Sequence, residues 1–114
     1  MTITKEIGKI KSVRFGKGGY QDAMFGISFG LGSDKTSWGV VDFRGGWGLE
    51  LKADSRTQWE EADRNAVFAE TMRFINELLI KAKVDDISKL VGIPIEATFG
   101  DGMLKSWRVL EEAI

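Results

Sequence analysis

Seven side chains suited to ligand recognition are concentrated between positions 20 and 47 of this 114-residue sequence. Aspartate carboxylates accept hydrogen bonds. Where two carboxylates meet, they act as acid and base or hold a cation. Arginine offers a planar fork to an anion, and tyrosine and tryptophan offer stacking faces. We predict one depression, at the glycine-rich end of the second and third strands, lined by the ligand- or partner-binding residues Tyr20, Gln21, Asp22, Trp38, Asp42, Arg44 and Trp47.

The composition limits the chemistry that these residues can perform. The chain contains no histidine and no cysteine, so Ser-His and Cys-His nucleophiles and the usual zinc sites are excluded. Two aspartates, Asp22 and Asp42, provide too few oxygen ligands for a strong cation site. We therefore expect a non-enzymatic protein with no catalytic residue, no metal and no cofactor. The alternative is a small carboxylate- or metal-dependent enzyme that uses these two aspartates.

Charge is divided unevenly along the chain. Residues 1–56 hold nine Lys/Arg against six Asp/Glu, and residues 57–114 hold seven against eleven, so a net of +3 and a net of −4 sum to −1. The basic residues of the first strand are Lys5, Lys9, Lys11, Arg14 and Lys17. This balance is far from the strongly basic profile of a nucleic-acid-binding protein. Weak single-stranded nucleic-acid binding is therefore only a further alternative.

The strongest structural signal lies between residues 57 and 83. Apolar side chains recur there at spacings of four and three, and charged residues occupy the opposite side, which predicts an amphipathic helix roughly 40 Å long. Ser55 with Gln58, and Thr57 with Glu60, have the spacing of capping boxes. The stripe predicted to face the sheet consists of Phe68, Met72, Ile75, Leu79 and Ala82.

Alternation of apolar and polar residues predicts five strands, at 6–15, 23–31, 36–44, 93–99 and 103–110. Glycine-rich turns are predicted at 16–22 and 45–48, and a break in the alternation near Ser12 predicts a β-bulge or a register change. The element order is β-β-β-α-β-β. We therefore predict a single domain over residues 1–114, with an α+β, two-layer fold in which one long helix covers an antiparallel β-sheet.

Two features raise the question of what else contacts this sheet. Gly26 and Gly30 lie inside a strand, where glycine indicates close approach by a ligand, a partner chain or a neighbouring ring. Trp59 falls outside the apolar stripe, so it either packs on the preceding loop or is exposed. Unpaired sheet edges and an exposed tryptophan would favour a symmetric homodimer, which we expect on these grounds.

Three stretches of the sequence resemble a group of small bacteriophage and prophage proteins. They are FGKGGYQDAMFGISF (15–29), the pattern WGxxDF (38–43) and LKSWRVL (104–110). The resemblance spans most of the chain and implies a phage context without identifying active residues. Small accessory phage proteins often counter host defence. We therefore expect a phage-encoded binding module that inhibits a host defence protein or sequesters a small, anionic, nucleotide-like ligand.

Location is constrained by what the sequence does not contain. No apolar run approaches the roughly 20 residues that a membrane span needs, and the N-terminal stretch has no continuous apolar segment of the signal-peptide kind. We expect a cytoplasmic protein, in the host cell cytoplasm if it is phage-encoded, with no membrane partner.

Overall fold

The computed structural model of the protein describes residues 2–114. Over this range a five-stranded antiparallel sheet carries one long helix on one face, which confirms the predicted two-layer α+β fold. The elements are β1 (Ile3–Gly18), β2 (Met24–Gly32), β3 (Gly39–Trp47), α1 (Glu61–Ala82), β4 (Pro94–Gly100) and β5 (Met103–Val109), with 3₁₀ turns at Tyr20–Asp22, Ile87–Leu90 and Glu111–Ala113.

The central strand, β1, pairs with a different neighbour along each half. Its residues 9–18 pair with β2, and its residues 3–9 pair with β4. The strand order is therefore β3-β2-β1-β4-β5, with β3 and β5 at the edges. The register of β1 against β2 shifts between Ile10 and Ser12, which confirms the predicted bulge or register change. A bulge increases local twist, and it lies where β1 changes from one neighbour to the other.

Two stretches predicted as turns belong to strands instead. Residues 16–18 complete β1, and residues 45–47 complete β3. Gly26 and Gly45 face each other across β2 and β3, and a side chain on Gly26 would collide with the carbonyl group of Arg44. The two backbones are therefore too close for any residue but glycine. The close approach expected at Gly26 comes from the neighbouring strand.

Helix α1 begins at Glu61, four residues later than predicted. The backbone N–H of Glu60 donates to Asp63 Oδ2 at 2.8 Å, which satisfies a donor at the helix start. Thr57 instead closes a turn, because its hydroxyl donates to the Asp54 carbonyl at 2.9 Å. The 22 residues of α1 span roughly 33 Å. Lys83 ends the helix in the left-handed conformation, at φ 59°.

The face that α1 presents to the sheet is rotated by roughly 40° from the predicted stripe, at 100° per residue. Thr71 and Leu78 are buried, whereas Met72 of the predicted stripe is 52% exposed. Leu78 packs in the core cluster, which consists of Ile10, Ile27, Phe29, Leu31, Leu78, Ala82, Leu90, Ile95, Ala97 and Val109. The core therefore lies under the C-terminal half of the helix.

We expect Leu78→Ala to lower the free energy of unfolding by about 2–5 kcal/mol, because it removes a buried core side chain. Met72→Ala is the matched control on the same helix, and its effect should stay within about 1 kcal/mol because that side chain is half exposed. Urea unfolding followed by circular dichroism measures both values. Losses in the reverse order would show that the helix faces the sheet with the phase that the sequence predicts.

Candidate functional site

Asp42 and Arg44 point toward α1 and form a junction beneath it. Asp42 Oδ2 accepts hydrogen bonds from Arg44 Nε at 3.1 Å and from Trp107 Nε1 at 2.7 Å. The Arg44 guanidinium lies 3.9 Å from the ring centroid of Phe74, on α1. The Trp107 indole also packs against Phe29 of β2, with ring centroids 5.2 Å apart. These contacts tie both edge strands to the helix.

The two predicted tryptophans lie at opposite ends of the β2–β3 hairpin. Trp38 precedes β3, and its ring meets Phe99 edge to face, with centroids 5.6 Å apart. Trp47 ends β3 and stacks on Trp59, with centroids 6.1 Å apart. Trp59 is therefore half-buried against the end of β3, so it is neither packed on the preceding loop nor fully exposed, the two alternatives that the sequence offered. The homodimer loses this supporting observation and stays a prediction.

Tyr20, Gln21 and Asp22 form the exposed 3₁₀ turn between β1 and β2. The Tyr20 side chain is 68% exposed. Gln21 and Asp22 have positive φ angles of 52° and 55°, and Gly19 before them has 68°. A non-glycine residue in this region costs roughly 1–2 kcal/mol. The turn thus holds strained backbone and presents an aromatic ring to solvent.

The structure does not gather the seven predicted residues into one depression, so that part of the prediction is wrong. Trp38 and Trp47 are nine positions apart, which spans roughly 30 Å of extended chain. Asp42 and Arg44 lie under the helix because they share the face of β3 that packs on the core. A binding role for each residue separately stays a prediction.

The two aspartates of the enzyme alternative do not converge either. Asp22 precedes Met24 at the start of β2, whereas Asp42 pairs with Phe29 five residues further along, roughly 17 Å away by strand rise. Within residues 2–114, no three acidic side chains come together in a way that suits a metal ion.

The helix of this described range is also not long and apolar enough to cross a membrane.

Three of the five basic residues of β1 are held by acidic partners. Asp34 accepts ion pairs from Lys9 Nζ at 2.5 Å and from Lys11 Nζ at 2.6 Å. These two lysines, Lys11 first, lower the pKa of Asp34 to about 2. Lys17 pairs with Glu50. These pairs reduce the basic charge that the strand offers to a phosphate backbone.

A cleft of about 410 Å³ lies on the helix face of the sheet, between the first half of α1 and the ends of β1 and β2. This volume falls in the range of small-molecule sites. The cleft lies next to the turn 19–22, at the end of the sheet where the sequence predicts a site. Its lining residues are Phe15, Lys17, Phe25, Gly26, Leu49, Glu50, Phe68, Thr71 and Met72.

Three phenylalanines form the wall of this cleft. The rings of Phe15 and Phe25 meet edge to face with centroids 5.4 Å apart, and those of Phe25 and Phe68 with centroids 6.4 Å apart. Phe15 and Phe25 are each 40% exposed. The buried Thr71 donates its hydroxyl to the Val67 carbonyl at 2.9 Å, so this donor is satisfied within the helix. The interior of the cleft is accordingly apolar.

One ion pair forms the polar rim of the cleft. Lys17 Nζ lies 2.5 Å from Glu50 Oε1, and both side chains are more than half exposed. The hydrogen bond from Lys17 is the main reason that the pKa of Glu50 lies below its ordinary value. Lys17 belongs to β1, whereas Glu50 belongs to the loop between β3 and α1. A charged pair with one strand partner and one loop partner therefore borders an apolar space.

Arg64 holds that loop in place from the first turn of α1. Its side chain is 3% exposed, and its Nη1 donates to the carbonyl groups of Gly48 at 2.7 Å and Leu51 at 2.6 Å. Its Nη2 donates to both carboxylate oxygens of Glu61, at 2.7 and 2.6 Å. The residues between these two carbonyls include Glu50. Arg64 thus positions one rim of the cleft.

Sequence reasoning misses the cleft because its walls look like core. Phe68 lies in the predicted apolar stripe, and Phe25 alternates with core residues of β2. The sequence does contain one signal: the buried face of the first half of α1 carries the polar residues Arg64 and Thr71. A polar anchor and a small side chain do not fill the space that a leucine would.

Searches of protein-family models, of curated proteins and of solved structures find no match to this chain. The resemblance to small phage proteins therefore stays a prediction.

We expect Asp42→Ala to lower the free energy of unfolding by about 1–3 kcal/mol, because it leaves the Trp107 N–H and the Arg44 guanidinium without their acceptor. Asp42→Asn keeps one acceptor oxygen and should cost less. The control is Asp85→Ala, which removes only an exposed pair with Lys89 and should change little. Chemical denaturation of the three variants tests the junction. An Asp42→Ala protein as stable as the unaltered protein would show that the junction contributes nothing.

Proposed function

We propose that this protein is a non-enzymatic binding module that holds a small, mainly apolar ligand in the aromatic cleft. The observation that carries the proposal is the wall of three phenylalanines, in which Phe25 packs on both Phe15 and Phe68, around a space of about 410 Å³; Phe15 and Phe25 are each 40% exposed. Exposed aromatic side chains grouped in a concave surface are typical of ligand sites.

The size and chemistry of the cleft favour an apolar ligand over a nucleotide. A nucleotide presents many donors and acceptors, whereas the phenylalanines and Met72 offer it none. A ligand of about twenty non-hydrogen atoms, at about 0.3–0.4 kcal/mol each, would gain about 6–8 kcal/mol. That energy corresponds to dissociation constants from about one to tens of micromolar. Sequestration of such a molecule is the role we propose for a phage-encoded accessory protein.

The neutral fluorophore N-phenylnaphthylamine tests this proposal, because its emission rises in an apolar site. We expect saturable micromolar binding to the unaltered protein. Met72→Trp should weaken binding at least tenfold, since the larger side chain fills the cleft from an exposed helix position. Ile80→Trp is the matched control, because Ile80 is an exposed residue of α1 outside the cleft. Absence of binding, or equal binding by both variants, would contradict the proposal.

A second candidate function is inhibition of a host protein through the turn at 19–22. The observation that favours it is the strained backbone at Gln21 and Asp22, which holds the exposed Tyr20 ring at the tip. Strained backbone is concentrated at functional sites, and an exposed tyrosine is a common anchor at protein interfaces.

Immobilised protein exposed to host lysate tests this second candidate. We expect a host protein retained in stoichiometric amount by the unaltered protein and by Met72→Trp, and lost with Tyr20→Ser. Met103→Ser is the matched control, because Met103 is equally exposed at a distant edge strand. Retention that survives Tyr20→Ser would remove the turn as the interface.

A further inference from the structure

We propose that the ligand of the aromatic cleft is an apolar monoanion whose acidic group replaces the Glu50 carboxylate on Lys17. This inference rests on the proposed function and adds the chemical class of the ligand. The apolar body would lie against the phenylalanines, and the single acidic group would lie at the rim. Such a molecule matches the cleft in both respects, since its interior is apolar and its one lining cation is at the mouth.

Lys17 is the strand member of the rim pair. It lies in β1, directly opposite Phe25 of β2, and its carbonyl oxygen accepts a hydrogen bond from Arg14. Glu50 follows the end of β3 in a loop, and half of its side chain is exposed. An exposed ion pair contributes little and exchanges partners readily. An anionic ligand that binds Lys17 therefore displaces the carboxylate of Glu50 at little cost.

The surrounding charges favour an incoming anion over an incoming cation. Glu50 is stabilised by its own backbone N–H and by the positive charge of Arg64, in addition to Lys17. After displacement it keeps both of these interactions. A cation that displaced Lys17 from Glu50 would instead lie close to two positive side chains, and like charges at short distance repel. An anion on Lys17 compensates the charge of that lysine, and the displaced Glu50 keeps its own backbone N–H as a partner.

A pair of fluorophores separates the anionic group from the apolar body. Anilinonaphthalene sulfonate and N-phenylnaphthylamine share the same aromatic skeleton, and only the first carries a sulfonate. We expect Lys17→Met to weaken sulfonate binding about tenfold, since it removes a charge-assisted contact, while binding of the neutral probe changes less than twofold. Glu50→Gln should tighten sulfonate binding severalfold, because the competing carboxylate charge is gone. Raising the salt concentration should weaken only the sulfonate.

Lys9→Met is the matched control, because it removes a lysine of the same strand that lies outside the cleft. Near-ultraviolet circular dichroism verifies that each variant keeps its fold. Equal effects of Lys17→Met on both probes, or weaker sulfonate binding by Glu50→Gln, would overturn the inference while the cleft remains a binding site. Failure of the neutral probe and the sulfonate alike to bind the unaltered protein would overturn the proposed function itself.

Discussion

The β2–β3 and β4–β5 hairpins of this protein are joined through a single strand, β1, and that constraint shapes the rest of the molecule. β1 pairs with β2 along one half and with β4 along the other, so backbone hydrogen bonds alone leave the outer strands independent. Side chains make the second connection. Trp107 reaches from β5 to Asp42 on β3, and Arg44 continues the contact to Phe74 on α1. The helix thus packs on a sheet whose two edges it helps to join.

The same helix closes the core at one end and leaves a cleft at the other. Its C-terminal half inserts Leu78 and Ala82 among the apolar side chains of the sheet. Its N-terminal half buries Arg64 and Thr71. The Arg64 guanidinium donates hydrogen bonds to loop carbonyls and to Glu61. Thr71 lines the cleft and is too small to fill the space above Phe15 and Phe25, so the opening depends on residue choice along one helix.

The sequence was sufficient for the fold but not for the site. Element order and periodicity predict the two-layer architecture, and the broken alternation near Ser12 predicts the bulge. The prediction of a single depression is wrong because the distances between its residues depend on where β3 begins and ends. The continuation of β3 through Gly45 to Trp47, forced by the close pairing with β2, separates its two tryptophans. The cleft was hidden because its phenylalanines follow the core pattern, and their exposure depends on the helix residues opposite.

The burial of Arg64 determines how quickly the mouth of the cleft can respond. Lifting the loop would strip Nη1 of this guanidinium of the Gly48 and Leu51 carbonyls, and the loss of hydrogen bonds to a charged group is costly. The loop is therefore a fixed part of the cleft wall and does not open and close over it. Exchange at the rim needs only rotation of the Glu50 side chain, a motion of picoseconds to nanoseconds, whereas loop displacement takes nanoseconds to microseconds. A ligand would therefore enter the cleft without any displacement of the loop.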